Sequence, residues 1–158
     1  MLLRAGGELV RLVGARGVRT TISMSSTEGP RRGGLVVVSH ESAFELLGLS
    51  EIIPNLIHLS VPRARRTLAR RSGVALHTTT RPLDGADMVL RSGMRLTGPA
   101  RTIADVAEAG LAPEQVVRAA AQAIDRGLTT PSRLREAVMG RGRRVEQLVE
   151  IALAGKDT

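Results

Sequence analysis

Met94-Arg95-Leu96-Thr97-Gly98-Pro99-Ala100-Arg101-Thr102-Ile103-Ala104-Asp105-Val106-Ala107 contains the point at which this chain changes its periodicity. Before Gly98, Met94 and Leu96 alternate with Arg95 and Thr97, the period of a half-buried strand. After it, Ile103, Val106 and Ala107 recur at helical spacing. Pro99 suits the first helical position, where the N–H that it lacks has no partner in any case. Strands are expected upstream of this junction and helices downstream.

Upstream, Met88-Val89-Leu90-Arg91 and Met94 to Thr97 flank Ser92-Gly93, a two-residue turn signal for a hairpin. Val74 to Thr80 is strand-like, and so is Leu56 to Val61, where Leu56, His58 and Ser60 oppose Ile57, Leu59 and Val61 before Pro62. Three or four antiparallel strands are therefore expected over residues 56 to 97. Ser39 to Leu47 reads as a short helix, with Ser39 as N-cap, Ser42-x-x-Glu45 as a competing capping box and Gly48 as its stop. Leu35 to Val38 is a brief apolar run, either a buried strand or the lead-in to that helix.

Downstream, the helix from Pro99 stops near Gly110, and a second opens at Pro113 with Val116, Val117, Ala120 and Ile124 as its stripe. Thr130-Pro131 is an N-cap and N1 pair for a third, and Arg144 to about Ala154 forms a fourth. The fold class is α+β: a small antiparallel sheet followed by a C-terminal group of about four helices.

Composition narrows the chemistry. Phe44 is the only aromatic of the Phe, Trp and Tyr set, so the core is built from aliphatic residues and no such platform exists for stacking bases. Cysteine is absent, which excludes disulfides, thiolate metal sites and a Cys nucleophile. No apolar run approaches the roughly 20 residues needed to cross a bilayer, and the first residues lack a signal-peptide core, so a cytoplasmic location is expected. The net charge is +8, with Lys156 the sole lysine, which favours a polyanion or an acidic protein surface as partner.

No reactive constellation emerges. His40, His58 and His77 stand apart in sequence without an HExxH or His-x-His pattern, and they read as structural positions. Asp84 and Asp87 share one turn and do not make the carboxylate cluster that metal-dependent nucleases need. No GxSxG elbow, P-loop or dinucleotide fingerprint occurs. The chain is read as a non-enzyme without a cofactor or metal.

The strongest chemical feature is basic. Arg63, Arg65, Arg66, Arg70 and Arg71 fall within nine residues, directly after a strand. Their planar forks donate paired hydrogen bonds to phosphate, which makes them candidate nucleic-acid or partner contacts. Arg141, Arg143 and Arg144 read as a surface loop. Arg11, Arg16 and Arg19 lie where Glu8 to Val13 and Gly17 to Ile22 form a possible wing hairpin. A complete winged helix needs three helices ahead of that wing. Residues 1–38 are therefore expected to be a truncated or diverged winged-helix remnant and linker, and residues 39–158 the main domain.

Three stretches in order carry a family resemblance. They are Val38-Ser39-His40-Glu41-Ser42-Ala43, then Ile57-His58-Leu59-Ser60-Val61-Pro62-Arg63, then Thr97-Gly98-Pro99-Ala100-Arg101-Thr102-Ile103-Ala104-Asp105. Over about residues 35 to 154 the chain resembles the AbiEi-type antitoxins. The resemblance implies an antitoxin of a type IV toxin–antitoxin pair, linked to abortive infection. Its functional partner would be a nucleotidyltransferase-like toxin, with no direct complex required. It also implies operon autoregulation through an N-terminal winged helix, here with weak or partial DNA contact, in a monomer that does not engage membranes. The alternative is an inactive relative of a DNA-processing protein that has lost its nuclease domain. Within the resemblance, Arg101 and Asp105 are an i, i+4 pair read as a structural salt bridge worth roughly a few tenths of a kcal/mol, and Thr97 and Pro99 as capping residues.

Overall fold

A computed structural model describes residues 36–51, 53–63, 73–79, 81–91 and 93–155, together with the backbone of 10–13 and 19–22. In chain order the strands are β1 (Val10–Val13), β2 (Arg19–Ile22), β3 (Val37–Val38), β4 (Ile57–Pro62), β5 (Val74–Thr79), β6 (Met88–Arg91) and β7 (Met94–Thr97). The helices are α1 (His40–Leu46), α2 (Pro99–Glu108), α3 (Pro113–Asp125), α4 (Pro131–Val138) and α5 (Arg143–Ala154). The α+β class and the C-terminal placement of four helices hold. Among the described residues no helix is long and apolar enough to cross a membrane.

β1 and β2 form an antiparallel hairpin of their own, with Arg11 opposite Thr21 and Arg19 opposite Val13. The main sheet has five strands in the order β5-β4-β3-β7-β6. It is mixed, which corrects the antiparallel expectation: β4 and β5 run parallel, as do β3 and β7. A parallel neighbour requires a long return connection, where an antiparallel one needs only a tight turn. The arginine-rich segment between Pro62 and Val74 is that connection, so the cue lay in its length and its charge drew attention instead. The hairpin expected at Ser92-Gly93 is present as β6–β7, with Arg91 opposite Met94. The short apolar run 35–38 supplies β3, whose two fully buried valines lie in the middle of the sheet between β4 and β7.

Helix ends follow local chemistry. Thr130 accepts from the Arg133 backbone N–H, as an N-cap does, and Pro99, Pro113 and Pro131 occupy first turns. Gly48 closes α1 at φ +67°, a conformation that costs a side-chain-bearing residue about 1 kcal/mol or more. Arg126, at the end of α3, donates to the carbonyls of Gly48 (2.8 Å) and Leu47 (3.3 Å), tying α3 to the end of α1.

α2 is the hub. It touches each of the other four helices, and every residue from Arg101 to Ala107 is buried. Val38, Leu59 and Leu96 of the sheet join Ile103, Val106, Val116, Leu134 and Val149 of the helices in one aliphatic core. Truncating a fully buried member such as Ile103 to Ala is expected to cost about 2–5 kcal/mol. That core fixes α1 and α2 over β4 and β5, and the functional candidate lies where they meet.

Candidate functional site

Side chains alternate along β4 and β5, so His58 and Ser60 project from one face and Ile57, Leu59 and Val61 from the other. The parallel register sets Ser60 beside His77 and Pro62 beside Thr79. His58, Ser60, His77 and Thr79 thus make a polar strip along one face of the β4–β5 pair.

α1 meets that strip through hydroxyls and imidazoles. Ser39 occupies the N-cap position but makes no side-chain cap bond. Its hydroxyl oxygen instead accepts from Ser60 (2.7 Å) and pairs with His40 Nδ1 (2.9 Å). Ser42, expected in a capping box, accepts from the His58 backbone N–H (2.9 Å) and fastens α1 to β4. His40 has φ +51°, unusual for a residue with a side chain, and such local strain concentrates at functional sites. Its ring lies on that of His77, centroids 3.6 Å apart and planes within 14°. His77 Nε2 is in turn 2.9 Å from His58 Nδ1, so the pair shares one proton-bridged contact.

The three imidazoles are held neutral. Burial pushes His40 down to about 4, and neighbouring His77 adds to the effect. Burial also lowers His58, against the pull of Glu41, whose carboxylate lies 3.9 Å away. His77 is lowered by burial and by His58, with Asp105 and Glu41 opposing. Charging any one ring would cost desolvation and would repel the others.

α2 and the turn before α5 supply the charged half. Asp105 Oδ1 accepts from Arg101 Nε (2.9 Å) and from Arg141 Nη1 (2.7 Å). Arg101 also donates to Thr79 (3.1 Å) and lies 3.6 Å from Asp87, while Arg141 also donates to Glu108 (2.7 Å). Arg101, Asp105 and Arg141 are all buried. Two expectations are corrected here. Arg141, expected in a surface loop, is inside the protein while Arg143 and Arg144 are exposed; the Arg101–Asp105 salt bridge expected from its i, i+4 spacing is present and belongs to this buried network. Thr97 is no cap either: Gly98 is the N-cap of α2, and the Thr97 and Thr102 hydroxyls bond each other at 2.7 Å.

A cavity of about 440 Å³ opens between these groups, lined by His40, His77, Ser60, Arg101, Asp105 and Arg141 among others. No set of three or more His, Asp or Glu side chains among the described residues is arranged to hold a metal ion. The residues singled out for charge lie elsewhere. Arg63 is exposed just beyond β4 and does not line the cavity. Arg11 and Arg19 fall in β1 and β2, and Arg16, Arg65, Arg66, Arg70 and Arg71 lie outside the described residues. Sequence reasoning passed over the junction of histidines, Asp105 and Arg141, because its members come together only through the parallel β4–β5 pairing and the packing of α2.

The junction draws on all three motif stretches: Ser39, His40 and Ser42 from the first, His58 and Ser60 from the second, and Thr97, Arg101, Thr102 and Asp105 from the third. Comparison with known proteins agrees with that grouping. The model of the AbiEi antitoxin C-terminal domain matches residues 35–153, which span β3 to α5 but for the last residue of α5. No curated protein gives a significant match. A match over most of the chain, containing the whole junction, shows that this protein belongs to the AbiEi antitoxin family of type IV toxin–antitoxin systems.

Proposed function

We propose that this chain counteracts a nucleotidyltransferase-like toxin, without catalysing a reaction itself and without a stable complex with that toxin. The observation that carries the reading is the family match over residues 35–153, an uninterrupted domain in which the three motif stretches interlock. The net charge of +8 and the exposed Arg63 support a second role as autoregulator of its operon, through salt-sensitive contact with DNA. In that role Arg11, Arg16 and Arg19 of the N-terminal segment, with Arg65, Arg66, Arg70 and Arg71 of the segment after β4, are the phosphate contacts. The protein acts as a cytoplasmic monomer.

Co-expression tests the main reading. Growth arrest by a nucleotidyltransferase-like toxin encoded beside this chain is expected to be relieved when the chain is present. Persistent arrest with folded chain in the cell contradicts it.

A further inference from the structure

The cavity beside the histidines has features that an antitoxin scaffold does not itself require. Its volume, about 440 Å³, lies within the range of small-molecule sites. His40 and His77, stacked on each other, both line it. In a chain with no Trp or Tyr, and with its one Phe buried in the core, these imidazoles are the available flat π surface. Base stacking on His is an established mode of recognition.

Two orphan groups lie beside that surface. Asp105 engages both arginines through Oδ1, which leaves Oδ2 buried without a hydrogen-bond partner. Arg141 Nε is likewise buried without one. Both residues line the cavity, and each carries one buried polar atom, an acceptor on Asp105 and a donor on Arg141, that the protein leaves unmatched. A buried polar group without a partner is destabilising, and a ligand with the complementary pair removes that penalty.

The ligand's chemistry follows by comparison. A simple anion would meet Arg141 but also Asp105 and Glu108. A divalent cation finds no prepared ligand set among the described residues. An apolar ligand would leave both orphans unmatched. A flat heterocycle carrying an N–H and an acceptor on one edge suits the stack and the orphans together. Arg81 also lines the cavity, and its guanidinium donates to two carbonyls, Met139 (3.1 Å) and Gly140 (2.8 Å). It has no carboxylate partner among the described residues, so its charge is available to a phosphate.

We propose that this cavity binds the base of a nucleotide, stacked on the His40–His77 pair with its hydrogen-bonding edge toward Asp105 and Arg141. The inference does not depend on the antitoxin reading.

The test uses the full chain, whose three histidines give three imidazole signals that NMR resolves. AMP, GMP, CMP and UMP are titrated, with ribose 5-phosphate and inorganic phosphate as probes that lack a base. The expected result is saturable shifts of the His40 and His77 signals by at least one nucleotide, with Kd of roughly 10 µM to 1 mM and at least tenfold weaker binding of ribose 5-phosphate. Asp105→Asn is expected to weaken that binding about tenfold. Should the variant not fold, purine riboside against adenosine asks the same question from the ligand side, because purine riboside lacks the exocyclic donor. Equal response to the base-free probes would make this an anion site and overturn the proposal. So would equal binding of adenosine and purine riboside, or no shift with any nucleotide. A short single-stranded oligonucleotide that moves the same signals and is displaced by the mononucleotide supports the same base site, supplied by a strand.

Discussion

His40 and His77 lie on different elements and far apart in sequence, yet their rings stack 3.6 Å apart and nearly parallel. Charging either ring at this distance is opposed by burial and by the neighbouring imidazoles. In the unfolded chain His40 takes up a proton near its ordinary value of 6.5, whereas in the folded chain burial delays this to about 4. The unfolded state therefore binds more protons between those values, and stability falls as pH drops through that window.

Stability is expected to be flat above about pH 7 and to decline from about pH 6.5 toward pH 4, by about 3 kcal/mol from His40 alone. His58 and His77 shift in the same direction and add to the decline. Urea unfolding at a series of pH values measures this. His40→Gly is expected to make the acid limb shallower, and an unchanged slope would remove His40 from the account.

Asp105 and Arg141 form the buried link between α2 and the turn before α5. Arg141→Met removes a guanidinium that satisfies Asp105 and Glu108, and leaves Asp105 with Arg101 alone. Breaking one side of a buried pair costs about 3–5 kcal/mol, against a few tenths for an exposed i, i+4 pair. Urea midpoints of Arg141→Met and of the exposed control Arg143→Met separate the two cases: a large loss is expected for the first and little for the second.

Arg126 presents a smaller test of the same kind. Its two hydrogen bonds to Gly48 and Leu47 satisfy the end of α1 from the end of α3. Arg126→Ala is expected to lower stability by about 1–3 kcal/mol, the range for hydrogen bonds from a charged donor. Amide exchange in α1 should rise more than in α5, because the lost contact is local to α1.

Much of the helical half was legible because its signals are local. Pro99, Pro113 and Thr130-Pro131 mark starts, Gly110 and Gly127 mark stops, and the apolar stripes give the period. Strand positions were legible for the same reason, down to the turn at Ser92-Gly93. Pairing was legible only for the β6–β7 hairpin, and the parallel pairs β4–β5 and β3–β7 were not. Alternation looks alike in parallel and antiparallel strands, and only the return length between Pro62 and Val74 distinguishes them. The candidate site shared that fate: His58 and His77 meet because β4 and β5 run side by side, and Arg141 reaches Asp105 across the helical packing. The serines and threonines of the motifs read locally as caps, but Ser39 and Ser42 spend their hydroxyls on the distant β4, and Thr97 bonds Thr102 instead of capping α2.

DNA contact by the arginine segments has its own signature. If three or four guanidiniums engage phosphates, log K falls with log salt at a slope of roughly −3 to −4. Arg63→Ala, Arg65→Ala and Arg66→Ala together are expected to flatten that slope and weaken binding. An affinity that ignores salt, or the triple substitution, would reject the arginine segment as a DNA contact.

Neutralisation and DNA contact are assigned to different parts of the chain, and growth rescue on co-expression with the toxin separates them most directly. Variants are compared at matched cellular abundance. Arg11→Ala with Arg19→Ala is expected to leave rescue intact, while Asp105→Ala, which dismantles the junction within residues 35–153, is expected to abolish it. Rescue that is lost with the two hairpin arginines and survives the loss of Asp105 would contradict the account.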